Sequence, residues 1–261
     1  MGIEIPDRWL GKPIEGSLDR VLSMKQPAQQ AVTPPQQTVT PLSTSTNLNP
    51  RDYIQVPQYN IVIAKAEIHK GKNWHETLES LARESLVMPT VAEFMKHWMN
   101  VKTAAVDKAN VLVYADGTNV SDADAVDLWK YMSSGHRGGS WTWLNAQFSE
   151  RNGNWEMSQM YGVPPTNVRK SVLQCPIRKD ALVDLTFDNQ GFPERESALN
   201  NYQAGKNIRF YHPRNGKVAR FNANSVRANL NCNVDPAYRY SVLGVFACAA
   251  GSAPKNSGGN P

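Results

Sequence analysis

Between Gly205 and Tyr240 the chain carries Lys206, Arg209, Arg214, Lys217, Arg220, Arg227 and Arg239 against a single acid, Asp235. Phe210, Tyr211, Phe221, Tyr238 and Tyr240 are interleaved with them. Arginine forks grip phosphate oxygens and aromatic rings stack on bases, so this mixture is the chemistry of nucleic-acid binding. If residues 208–211 form a strand, Arg209 and Tyr211 share one face, with Ile208 and Phe210 on the other. Arg209, Tyr211, Arg214, Lys217, Arg220 and Arg227 are therefore the candidate nucleic-acid-binding residues. The bland alternative is a solvated sheet face whose arginines discourage edge pairing. No RNP-type motif accompanies them.

Other constellations carry less. The run Ser133–Ser140 is glycine-rich and holds His136 and Arg137, a candidate anion-binding pair. It lacks the phosphate-loop spacing and follows a helical pattern instead of opening one, so a plain connection is the competing account. His69, His75 and His97 lack the i, i+4 spacing of a metal pair. Asp122, Asp124 and Asp127 lack the glycine and closing glutamate of a calcium loop, and acids in a first helical turn meet the positive end of the helix dipole. Cys175 has Arg178 and Lys179 near it, which would lower a thiol pKa, but no histidine adjoins it in sequence. Trp141, Trp143 and Trp155 would make a sugar-stacking platform if exposed together, and core residues if not. No metal and no cofactor is expected.

The net charge of +5 conceals a division. Residues 1–163 hold 15 Lys/Arg against 17 Asp/Glu, and residues 164–261 hold 13 against 6. The basic character thus belongs to the same part as the arginine–aromatic segment, which directs the expectation to an acidic partner. No stretch reaches the ~18 apolar residues of a membrane helix, and the N-terminus has no apolar signal region. Three cysteines at this length suggest buried thiols and a cytoplasmic setting, with a Cys232–Cys248 bridge as the alternative.

The elements that must position these residues follow from periodicity. Residues 26–52 form a Pro/Gln/Thr/Ser linker, uncharged from Gln26 to Pro50, and residues 1–25 are an apolar docking peptide or a loosely packed lead. One α+β domain is expected over 53–251, followed by a disordered tail, 252–261. Ile61–Ala64 reads as a strand. Asn73 with Glu76 and Thr90 with Glu93 are capping-box starts of two helices, and Ser121 with Asp124 opens a third. Val111–Tyr114 reads as a strand closed by Asp116-Gly117. From about residue 138 the period changes to two. Strands are expected at 141–148 and 155–160 around Asn152-Gly153, at 182–187, at 208–211 and 218–221 as a hairpin around Asn215-Gly216, at 226–230 and at 241–247. A three-helix part of about 73–133 thus leads into an antiparallel β-rich part.

The runs MPTVAEFMKHWMNV, DLWKYMSSGHRGGSWTWLNAQF, IRFYHPRNGKVARFNANS and LGVFACAAG resemble an uncharacterised family from small-genome archaea known from environmental sequence. The resemblance covers about residues 74–251 and implies no activity and no site. The expectation is a non-catalytic binding protein that engages nucleic acid or an acidic protein through a basic β face. The alternatives are an adaptor tethered through its N-terminal peptide and a carbohydrate-binding module.

Overall fold

The structure is a computed structural model that describes residues 8–9, 12–13, 48–134, 139–162 and 167–250. The chain divides into two compact units, residues 1–40 and 41–261. In the first, β1 (Arg8–Trp9) pairs antiparallel with β2 (Lys12–Pro13). The rest of the expected docking peptide, most of the linker and the tail 252–261 lie outside the described residues.

The second unit is α+β. Its helices start where side chains can replace missing backbone partners. Asn73 Oδ1 accepts the Glu76 amide at 2.9 Å and the Glu76 carboxylate accepts the Asn73 amide at 3.0 Å, opening α1 (Trp74–Arg83). Thr90 and Glu93 make the same exchange before α2 (Val91–Lys102), at 3.2 and 2.8 Å. Ser121 Oγ accepts the Asp124 amide at 3.1 Å at the head of α3 (Asp122–Ser134). Each cap is worth about 1 kcal/mol. The helices bury Trp74, Leu78 and Leu81, then Phe94, Trp98 and Val101, then Leu128, Trp129 and Met132.

Two sheets complete the unit. In the smaller, β3 (Tyr53–Val56) and β12 (Cys248–Ala250) flank β4 (Ile61–Ala64), all antiparallel. Two strands therefore precede the helices and close with the last one, so the helices are bracketed by sheet at both ends of the domain. The larger sheet contains β5 (Ser140–Arg151), β6 (Asn154–Tyr161), β7 (Asn167–Val172), β8 (Ala181–Asp184), β9 (Asn207–Tyr211), β10 (Val218–Asn224) and β11 (Arg227–Val234). Their order is β7-β6-β5-β10-β11-β9-β8. The β5–β6 hairpin turns at Asn152-Gly153, both at positive φ, as the sequence implies.

The expected hairpin around Asn215-Gly216 does not form. The turn is there, with the Lys217 amide on the Arg214 carbonyl at 3.1 Å and Gly216 at φ +71°. The strands it joins are nevertheless not neighbours, because β11 lies between β9 and β10 and pairs with β9 in parallel. Pro213 has no N–H to continue a ladder. The His212 amide goes to Asp180 Oδ1 at 2.8 Å, and the Gly216 amide to the Phe148 carbonyl at 2.8 Å. The turn thus carries the chain over the end of β11, where the Arg214 amide reaches the Cys232 carbonyl at 3.3 Å. The hairpin partner of β10 is β11, through a turn in which Asn224 Oδ1 accepts the amides of Val226 and Arg227, each at 3.1 Å.

Two further expectations are corrected. Residues 111–114 make only isolated bridges, because the Tyr114 amide already returns to the Thr118 carbonyl at 2.8 Å and leaves no length for a strand. Residues 241–247 contribute single bridges at Gly244 and Val245, and the strand proper starts at Cys248.

One face of the large sheet turns Phe148, Phe210, Phe221 and Leu230 into the main core, where Phe221 meets Phe94 and Trp98 of α2 and both Phe148 and Phe210 meet Phe192. On its other side Trp143 and Val218 meet Trp74, Leu81 and Leu243 in a second cluster.

Candidate nucleic-acid interface

β9, β10 and β11 set the geometry of the face turned away from the main core. Alternation buries Phe210, Phe221, Ala223, Ala228, Leu230 and Cys232 inward. Their odd and even neighbours form two rows across the strands. In one, Asn222 is paired in register with Asn229, and Asn229 with Arg209. In the other, Arg220 is paired with Asn231, and Asn231 with Tyr211. Strands stand about 4.8 Å apart and i, i+2 residues about 7 Å. Six polar or aromatic side chains therefore share a patch on the order of 10 by 7 Å.

At one end of this patch lies a groove of about 240 Å³. Arg209, Tyr211, Arg227 and Asn229 line it from the sheet, and residues 200–202 form its wall. Asn207, wholly buried, holds that wall: its Oδ1 accepts the Gln203 amide at 2.8 Å and its Nδ2 donates to the Asn201 carbonyl at 3.0 Å. Tyr202 is fixed by its hydroxyl, which donates to the Ser133 carbonyl at 3.2 Å. Arg209 and Arg227 are exposed and Tyr211 is half-buried.

Of the six candidates, the structure thus brings Arg209, Tyr211 and Arg227 together in the groove. The other three are engaged elsewhere. Arg214 stands 3.8 Å from Asp180, and Lys217 pairs with Asp235 at 2.8 Å. Arg220 lies half-buried between the rings of Trp141, at 5.1 Å, and Tyr238, at 5.6 Å. Burial holds its pKa below the usual arginine value. His136 and Arg137 lie outside the described residues.

The side chains missed in the sequence are the asparagines. Asn222, Asn229 and Asn231 are 1%, 4% and 8% exposed. Both amide atoms of Asn222 and the Oδ1 atoms of Asn229 and Asn231 have no hydrogen-bond partner, and neither does Arg220 Nε. Leaving a buried polar atom unpaired costs about 1–3 kcal/mol. The signal was present as Asn229-Leu230-Asn231-Cys232-Asn233, a strict period of two. Asparagine reads as a turn residue, which hides it in a strand.

The remaining candidates are placed as follows. Trp143 is fully buried with its indole N–H on the Lys72 carbonyl at 3.1 Å, whereas Trp141 is half-buried beside Tyr240, so the tryptophans do not share an open platform. All three cysteines are free and buried, and burial pushes the Cys175 thiol up to about 11. His97 is wholly buried with neither ring nitrogen partnered, and desolvation lowers its pKa to about 4. Glu67 is buried beside Tyr131, whose hydroxyl donates to it, and accepts the Trp141 amide at 2.9 Å. Its pKa is raised to about 7, chiefly by burial. Among the described residues no group of three His, Cys, Asp or Glu is placed to hold a metal, and no helix is long and apolar enough to cross a membrane.

No family model, curated protein or solved structure matches this chain.

Proposed function

We propose that the groove beside β9 and β11 binds single-stranded nucleic acid. The observation that carries this reading is the convergence of Arg209, Tyr211 and Arg227 on one groove. Two exposed guanidinium groups supply phosphate contacts, and the half-buried phenol ring supplies a stacking surface. Asn200, Asn201 and Asn229 line the groove beside the two arginines, and polar walls suit base edges better than the apolar anchors of a protein partner. A duplex would need a protruding helix or ribbon to enter its groove, and a shallow recess in a sheet suits an unpaired strand.

Fluorescence anisotropy with single- and double-stranded probes across a salt series tests the reading. Each phosphate contact contributes about 0.7 to the log–log salt slope of single-strand binding. Removing both contacts with Arg209→Ala/Arg227→Ala is expected to reduce that slope by about 1.4 and to weaken binding at low salt. Absence of binding at low salt, or an unchanged slope in the double variant, overturns it.

A further inference from the structure

We infer that Asn229, one of the residues lining the groove, reads a base: its side-chain amide hydrogen-bonds the edge of one nucleobase held between Tyr211 and the 200–202 wall. This deepens the nucleic-acid reading and rests on it.

The asparagines of this face carry a cost. A strand that only closed a core would carry β-branched residues on this face, since asparagine is depleted in strands. β10 and β11 instead place Asn222, Asn229 and Asn231 side by side, each more than nine-tenths buried and each with an unpartnered amide atom. Among the three, Asn229 is the one that lines the groove. Its Oδ1 is unpartnered and closed off even from water, so a base edge reaches it only as neighbouring side chains of the groove give way, and then meets an acceptor already stripped of water.

The chemistry of that ligand follows from what surrounds the amide. A primary amide offers one acceptor and a donor pair in a plane, the complement of a base edge with adjacent donor and acceptor groups. Arg209 is the register neighbour of Asn229 on β9, and Arg227 stands two residues before it on β11. A phosphate at either guanidinium therefore places the attached nucleoside over Asn229. The volume of about 240 Å³ lies below the ~300–1,000 Å³ of pockets that enclose whole cofactors, which fits one base with its backbone left outside. Tyr211, in register with Asn231 next along β11, offers the ring against which that base packs.

Asn222 faces Asn229 across the β10–β11 pair, and Arg220, packed between Trp141 and Tyr238, faces Asn231 in the next row. The amide thus stands between in-register neighbours on both flanking strands, Asn222 and Arg209, in a residue that lines the groove. That is the arrangement of a contact that selects, as distinct from a charge that merely attracts.

The test is a double-mutant cycle on the full chain. Affinity is measured by anisotropy for wild type and Asn229→Ala, each with an oligonucleotide of about 12 residues and with the same backbone made abasic. If Asn229 contacts a base, the substitution weakens binding of the normal probe by about 5-fold or more and leaves the abasic probe unchanged. Equal loss on both probes, or no loss on either, overturns base reading while the salt dependence through Arg209 and Arg227 stands. Failure of wild type to bind either probe overturns the nucleic-acid reading itself. Asn229→Asp, nearly the same size, provides the second variant if alanine disturbs folding. It keeps the acceptor and loses the donor, so its discrimination among homopolymeric probes is expected to differ from wild type, and an unchanged order counts against the proposal. Circular dichroism melts establish that each variant is folded.

Discussion

His97 and Glu67 bias stability in opposite directions with pH, and replacing either exposes the other. His97 sits wholly buried on α2 with no partner for either ring nitrogen, and its pKa falls from 6.5 to about 4. The folded state binds that proton more weakly than the unfolded chain. Its contribution is fully present above pH 6.5 and is lost as pH falls towards 4. Glu67 is raised from 4.5 to about 7, so its contribution is fully present below pH 4.5 and lost as pH rises through 7. At ~1.4 kcal/mol per pKa unit each separation is worth about 3 kcal/mol. Between pH 4.5 and 6.5 the two slopes oppose, so wild type is expected to be nearly flat there. His97→Leu removes one slope, and stability should then fall by about 3 kcal/mol from pH 4.5 to 7. Glu67→Gln should give the reverse, a rise of about 3 kcal/mol from pH 4 to 6.5. At 2–4 °C per kcal/mol for a domain of this size, each variant's Tm should move by roughly 6–12 °C across its window. The assay is thermal melting in half-unit pH steps, and variant minus wild type isolates the group removed, falling from pH 4 to 6.5 for His97→Leu and rising from pH 4.5 to 7 for Glu67→Gln. Difference curves without slope, or with the signs exchanged, refute the account of both sites.

Gly191→Ala is expected to destabilise by at least about 2 kcal/mol, read as a lowered Tm. Its Cβ would stand 2.6 Å from the Ala92 backbone nitrogen, at φ +84°. Trp74→Phe should cost about 1–3 kcal/mol in a denaturant titration, because the indole N–H donates to the Leu144 carbonyl at 2.9 Å in a buried setting. Lys217→Ala should change stability by less than about 1 kcal/mol, since its pair with Asp235 is exposed, and should leave the salt slope of nucleic-acid binding unaltered. Cys175, Cys232 and Cys248 should resist a thiol reagent in the native protein and react once denaturant is added.

The helices and the β5–β6 hairpin were legible because their signals are local. A capping box occupies four consecutive residues, and Asn152-Gly153 specifies its own turn. Asn215-Gly216 carried the same local signal and misled, because which strand lies beside β9 is decided by burial of β11, about fifteen residues further along the chain. Alternation did place Arg209 and Tyr211 on one face correctly. It could not tell that Lys217 would meet Asp235, or that Arg220 would be covered by Tyr238, since both depend on the path of residues 235–240 over the sheet.

The misplaced hairpin and the missed asparagines have one cause. Had β9 and β10 paired directly, Arg209 and Arg220 would stand on adjacent strands and the face would be a basic ridge with like charges close together, each pair unfavourable. The insertion of β11 puts Asn229 beside Arg209 and Asn231 beside Arg220, so a strand carrying amides stands between the two arginines. Neutral, planar side chains between the two arginines relieve that repulsion without adding acid that would repel a phosphate backbone. They also place hydrogen-bonding edges where a base would lie if its phosphates sat on the arginines. Valines there would separate the charges as well and would suit a strand better. Separation of the two arginines is therefore not reason enough for asparagine at these positions, and the proposed ligand with polar edges would supply one.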